Sequence, residues 1–341
     1  MDLVFVGDRC NDHSASSGYD QVCSIFPDAA WLSGRRLEAG DVTWHRRPDR
    51  PTASSRRLYH VFYGDCSGRR LPAVLRSRFP DAIIACTAHQ PVSRLVRDPQ
   101  AMAALSHADA VITVSETQVR QLADLELTTS VHFVPHGVWT RAFRPAPGSL
   151  EDERDRVLLV GNYLRDWPGA RHVTERLARA GVSCVLVGSN VPDDVFAGHE
   201  SVERVPRLSE HELARMYDRS AALFLPVLDA TASNALLEAM AAGCPVVCTG
   251  STSLVDEYLG DRSDSFEEGD YDTAVARLLR YVGDPRKRAS RSLALMKRAA
   301  EFDWSNLERR YAGTYDEIAQ RANSSSIPAT LSNEVSLTQD V

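Results

Sequence analysis

Lysine is nearly absent from this chain. Of 39 basic residues only Lys287 and Lys297 are lysines, an arginine bias that fits a GC-rich genome. The pairs Arg35-Arg36, Arg46-Arg47, Arg56-Arg57 and Arg69-Arg70 therefore read as solvated charge, and no nucleic-acid partner is expected. No run of about 18 apolar residues exists, which excludes an expected transmembrane segment. The opening MDLVFVGDRCNDHS carries Asp2 and turns polar after Val6, so it reads as a strand and lacks the pattern of a secretory signal. The seven cysteines are odd in number and scattered. The one close pair, Cys244 and Cys248, has no second pair or histidine to complete a metal site, so buried thiols in a reducing cytoplasm are expected.

What is present is a chain of 341 residues, 43% hydrophobic and 25% charged, enough for two ordinary domains with their own cores. The net charge of −7 is uneven: residues 1–150 carry +2 and the remainder −9. Short apolar runs alternate with helical patterns throughout. Strands are expected at 3–7, 42–45, 58–62, 82–87, 108–114, 131–135, 157–160, 182–187, 202–208 and 221–226. Helices are expected from about Tyr19, at 71–79, from Glu116 to about Leu125, at 271–282, from Pro285 to about Ala300, and from Trp304 to about Ala319. Ser209 with Glu212 forms a capping box that opens a helix to Tyr217. Pro145 to Glu153 (PAPGSLEDE) reads as a linker, and Arg321 to Val341 as a disordered tail.

The chain is organised around Phe224 to Val247, FLPVLDATASNALLEAMAAGCPVV. A buried strand ending at Pro226 feeds a polar loop, a helix opening near Ser233 or Asn234, then Gly243 and a second buried strand. Free N–H groups of a first helical turn, together with the positive end of the helix dipole, face the carboxyl edge of a sheet in such a unit, an arrangement that suits a phosphate. One carboxylate, Glu238, sits a turn further in, between Leu237 and Met240 on an otherwise apolar helix. A carboxylate so placed can grip a ribose diol.

LLEAMAAGCPVV resembles the carboxyl-terminal signature of the retaining GT-B glycosyltransferases (glycosyltransferase family 4-like, group 1). Other stretches match that family in order: His89 after a buried strand, VPHGVWTRAFRP at the exit from the first half, GNYLRDWPGAR after the first strand of the second half, and Asp303-Trp304 before the last helix. The resemblance implies an α/β fold of two Rossmann-like doubly wound domains facing a central cleft. Residues 1–145 would form the acceptor-side domain and 155–302 the nucleotide-sugar-binding domain, with 303–320 a helix crossing back to the first.

As the resemblance implies, a nucleoside diphosphate sugar donates a sugar to a small-molecule, glycan or lipid-linked acceptor, with retention of anomeric configuration and no metal or other cofactor. The expected catalytic set is His89, Arg165, Arg171 and Glu238: Glu238 on ribose, the two arginines on the diphosphate, His89 on the sugar. Donor contacts are further expected from Ser17 and Gly18 in the loop after the first strand, from Gly161, from Arg207 near the base, and from Ser233, Asn234, Ala235 and Leu236 at the helix start. Two departures stand out. The family's first Glu is replaced by Ala230, so Asp229 beside it is the candidate substitute; Arg171 stands one residue beyond the family's second basic position, which is Ala170. A catalytically silent nucleotide-binding protein and a sugar-nucleotide epimerase of the same shape stay open as alternatives.

Overall fold

The computed structural model describes residues 2–9, 14–47, 57–125, 129–196, 198, 201–250 and 253–324. Two sheets account for the architecture. The first has seven strands, β1 (Leu3–Val6), β2 (Ala30–Leu32), β3 (Trp44–Arg46), β4 (Leu58–Val61), β5 (Ile83–Ala88), β6 (Ala110–Thr113) and β7 (Ser130–Phe133), in the order β3-β2-β1-β4-β5-β6-β7. The second has six, β8 (Arg156–Val160), β9 (Ser183–Val187), β10 (Val202–Val205), β11 (Ala222–Leu225), β12 (Val246–Thr249) and β13 (Ser265–Phe266), in the order β10-β9-β8-β11-β12-β13. Every pairing is parallel except β2 with β3. Parallel strands covered on both faces favour continuous apolar runs, which is why LVFV, IIACTA and ALFL form central strands with almost no exposure.

Each sheet reverses its winding once, between β1 and β4 in the first and between β8 and β11 in the second. At such a reversal neighbouring loops leave in opposite directions and open a crevice outside the carboxyl ends of the strands. The two crevices face each other, because loops after β1 and β5 hydrogen-bond to the loop and helix after β11.

The last helix, Trp304–Ser324, returns to the first sheet. Its buried residues Trp304, Leu307, Tyr311, Tyr315 and Ile318 recur at three- and four-residue spacing, a single stripe. That stripe packs in one core cluster with Phe5, Tyr19 and Phe62. Trp304 lies so close to Gly137 that a Cβ there would come within 2.5 Å of the indole, so only glycine fits.

Some expectations shift. Tyr19–Ser24 is a 3-10 helix, and the short elements Ala30–Leu32, Gly34–Glu38, Pro99–Ser106 and Ser265–Phe266 carried too little periodicity to be foreseen. Residues 321–324, expected in an irregular tail, continue the last helix; 325–341 lie outside the described residues. Ser149 Oγ donates to Asp218 Oδ1 at 2.6 Å, and Arg154 reaches the same carboxylate, so the segment expected as a linker is pinned to the helix Glu210–Arg219. Cys23, Cys86, Cys184, Cys244 and Cys248 are buried unpaired thiols, Cys66 is half-buried and unpaired, and Cys10 is outside the described residues. No helix among the described residues is long and apolar enough to cross a membrane.

Candidate active site

Glu238 lies at the centre of the facing loops. The helix Asn234–Ala241 starts from Ser233, whose extended backbone and side chain cap the first turn, and every residue from Ala235 to Ala241 is buried. Glu238 itself is 3% exposed. A carboxylate so enclosed requires donors, and three hydroxyls supply them: Ser14 Oγ at 2.6 Å and Ser17 Oγ at 2.5 Å on Oε1, Tyr217 at 2.9 Å on Oε2. Ser14 and Ser17 come from the loop after β1, and their hydroxyls are 2.6 Å apart. Tyr217 comes from the helix Glu210–Arg219. Burial first, and then the neighbouring carboxylate, push the Tyr217 phenol far above its ordinary value, so it stays a proton donor.

The loop after β8 supplies the cation. Gly161 has φ +81, the left-handed region that favours glycine, and a Cβ on it would stand 2.9 Å from Arg165 Nη2. Leu164 also has positive φ, at 50. This bent loop is stitched to the loop after β11 by Asp166 N–H donating to Pro226 O and Leu228 N–H to Leu164 O. Arg165 is thereby folded over Gly161, its Nη1 on Tyr163 O and its Nη2 on Val160 O, both at 2.8 Å. Both acceptors are neutral, and no carboxylate lies within ion-pair range of Arg165 among the described residues. Burial pulls the guanidinium down to about 10. A half-buried cation balanced only by carbonyl dipoles is a place where an anion is strongly favoured.

The end of β5 brings in His89. Thr231 Oγ1, in the loop before the Glu238 helix, donates to the His89 carbonyl, and Asp65 accepts the His89 N–H at 2.7 Å. The imidazole packs edge-on against Tyr19, centroids 4.5 Å apart, and against Tyr63 at 4.6 Å. Both of its ring nitrogens are buried without a hydrogen-bond partner. Two more contacts close the facing loops: Ser93 Oγ donates to Asp229 Oδ2 at 2.6 Å, and Ser16 donates through both N–H and Oγ to Glu210.

Residues 154–284, which contain Arg165, Glu238 and the helix between β11 and β12, match the family model for group 1 glycosyl transferases. The chain carries a group 1 glycosyltransferase domain. It is 23% identical to the MMP alpha-(1->4)-mannosyltransferase of Mycolicibacterium hassiacum over 82% of this chain and 75% of that one. It is 30% identical to the D-inositol 3-phosphate glycosyltransferase of Stackebrandtia nassauensis over 68% of this chain and 58% of that one. Sucrose-phosphate synthase from Thermosynechococcus elongatus superposes with a TM-score of 0.70 at 17% identity, covering 94% of this chain and all of that one. The fold is GT-B, and the enzyme is a glycosyltransferase with a sugar donor and an acceptor as its substrates.

In this glycosyltransferase, Glu238, Ser17, Gly161, Arg165, Ser233, Asn234, Ala235, His89 and Asp229 all stand at the facing loops. Gly18 precedes the 3-10 helix Tyr19–Ser24 as its N-terminal boundary residue. Two expected roles need correction in detail. Arg171 points away: its Nε pairs with Glu175 at 2.9 Å and its Nη1 donates to Val195 O, while Ala170 at the family's second basic position is fully buried. Successive helical residues are rotated by about 100°, so an arginine one place late leaves the buried face on which Ala170 packs. The Leu236 amide is already bound by Ser233 Oγ at 3.3 Å, leaving Asn234 and Ala235 to present the amides that open the helix. Arg207 is exposed on the segment joining β10 to the helix at Glu210.

Sequence reasoning missed Tyr217, Glu210 and Asp65. Tyr217 reads as an ordinary apolar helix position, Glu210 as a first-turn acid, and Asp65 as loop polarity. Only the meeting of distant loops gives each a purpose.

Proposed function

We propose that this glycosyltransferase takes a nucleoside diphosphate sugar as donor and transfers the sugar to an acceptor hydroxyl with retention of configuration, independently of a metal ion. The observation that carries the reading is Arg165, a half-buried guanidinium with no carboxylate partner among the described residues, set one loop away from a half-buried helix start and from Glu238. Cleaving the glycosidic bond leaves growing negative charge on the diphosphate. The Arg165 guanidinium and the amides of Asn234 and Ala235 would stabilise that charge from positions fixed before the reaction.

In the same reading Glu238 takes the ribose diol once the Ser14 and Ser17 hydroxyls give way, and the His89 ring meets the transferred sugar. Asp229 is engaged by Ser93 and Ala230 offers no side-chain base, so neither residue at the family's first Glu position supplies a free carboxylate for a double displacement. Front-face attack, with the leaving phosphate accepting the proton of the acceptor hydroxyl, fits these groups better. The names of the curated relatives, a mannosyltransferase and an inositol 3-phosphate glycosyltransferase, support a sugar nucleotide donor and a hydroxyl-bearing acceptor of small-molecule, glycan or lipid-linked type.

A thermal-shift panel of nucleoside diphosphates and their sugars tests binding, since a ligand stabilises the folded state by RT ln(1 + [L]/Kd). One nucleoside diphosphate is expected to raise Tm strongly in the parent. Folded Arg165→Ala and Glu238→Ala variants should lose most of that rise, with Arg165→Ala weakening diphosphate binding about 10- to 100-fold, the worth of a charge-assisted contact. Transfer should persist in EDTA, and NMR coupling constants of the product should report the donor's anomeric configuration. If both variants bound every nucleotide as well as the parent, the reading would be lost.

A further inference from the structure

The turn after β4 holds an aspartate that the transfer chemistry above does not use. Tyr63 adopts φ +48 there, and the Gly64 N–H donates to Thr87 O, so the turn lies flat across the end of β5. A Cβ on Gly64 would come within 2.8 Å of Cys86 Cβ, which keeps the contact close. Asp65, next in the chain, is fully buried. Its Oδ2 accepts the N–H groups of His89 at 2.7 Å and Gln90 at 2.5 Å, and Gln90 Nε2 returns a bond to the Asp65 carbonyl. Its other oxygen, Oδ1, has no hydrogen-bond partner and lies 3.9 Å from His89 Nδ1.

A buried carboxylate oxygen left without a donor is costly, and so is a buried ring nitrogen without a partner. Here two such atoms stand about 0.7 Å beyond hydrogen-bond range. The imidazole packs against Tyr19 and Tyr63, and an Asp65–His89 bond requires the two atoms to close that gap. We infer that Asp65 is a positioning residue that holds His89 as the Nδ1–H tautomer, leaving Nε2 a bare acceptor for a hydroxyl of the transferred sugar. The inference rests on the reading that His89 meets that sugar. It goes further by fixing the polarity of the contact: the sugar donates and the enzyme accepts. A neutral imidazole has one donor and one acceptor nitrogen, and the bond made by one sets the role of the other.

Asp65→Asn tests this. The side-chain carbonyl of asparagine can keep the His89 and Gln90 amides, while its NH2 turns toward Nδ1, makes that nitrogen the acceptor and moves the ring proton to Nε2. In the parent, 15N NMR of the imidazole should show an unprotonated Nε2, and in Asp65→Asn a protonated one. Transfer kcat should fall roughly 10- to 100-fold, as when outer partners of a functional histidine are altered. Thermal stabilisation by the nucleoside diphosphate, which lacks the transferred sugar, should be unchanged. In a His89→Ala background Asp65→Asn should cost nothing more.

A protonated Nε2 in the parent would overturn the inference even if the variant failed to fold. So would an equal loss of kcat from Asp65→Asn with and without His89. Parental kcat and sugar-nucleotide affinity in His89→Ala would instead remove His89 from the sugar site, a failure of the underlying functional reading that the diphosphate measurements do not share.

Discussion

Glu238 shows how single side chains organise the cleft. Ser14 and Ser17 place two hydroxyls 2.6 Å apart on one carboxylate oxygen, the spacing at which a vicinal diol would present its own pair. Under the proposed function, a ribose would compete with these hydroxyls for Glu238. Ser17→Ala removes one competitor, and calorimetry should find the nucleoside diphosphate bound about 3- to 10-fold more tightly, the net worth of one hydrogen bond. Weaker binding in that variant would instead make Ser17 a direct donor contact. At this scale the sequence was informative where chemistry clashed with surroundings: a carboxylate inside LLEAMAA needs partners, and Arg165 follows a glycine that only a bent loop requires. It was uninformative about Arg171, because a one-residue offset on a helix moves a side chain off the face that Ala170 buries, and no composition reveals that.

Between β4 and the last helix, His60 joins two elements 255 residues apart in sequence. Its Nδ1 meets the Tyr315 hydroxyl at 2.8 Å and its Nε2 meets Thr87 Oγ1 at 2.6 Å, with no exposure to water. Burial, and then the nearby His89, pull its pKa from 6.5 down to about 3. The folded state thus resists a proton that the unfolded chain accepts below about pH 6.5. Its contribution to stability is full above that pH and is lost progressively as the pH falls toward 3. Tm measured between pH 7 and 4 should fall, and His60→Asn should flatten the slope while lowering Tm at pH 7. An unchanged slope in the variant would place the acid sensitivity in other groups. The amphipathic stripe of the last helix was legible from its three- and four-residue spacing. Its docking partner was not, because an apolar face specifies that it be covered and leaves open by what.

The whole molecule depends on how the two sheets are held across the cleft. Glu257 of the second domain accepts from Ser115 Oγ and from the N–H groups of Glu116 and Thr117, so it caps a helix of the first domain. Beside it the Tyr258 hydroxyl donates to Val114 O at 2.5 Å. A carboxylate at a helix start gains from both the free amides and the dipole, which makes this pair a latch on the closed arrangement. Glu257→Ala should widen the molecule in small-angle scattering and raise the donor KM several-fold with a smaller change in kcat. An unchanged radius of gyration with parental KM would show that the latch is dispensable.

The alternation of buried strands and helices, the capped helix at Asn234 and the candidate carboxylate Glu238 were readable along the chain, and Arg165 through the family resemblance of its loop. The first three are local consequences of periodicity, capping chemistry and a polar residue in an apolar run, which a few neighbours express. The fold was needed to show that the Ser14 to Gly18 loop meets Glu238, that Arg171 pairs with Glu175, and that Asp65 stands beside His89. The first and last of those contacts join residues far apart in the chain, and they exist because two parallel sheets reverse their winding at points that face each other.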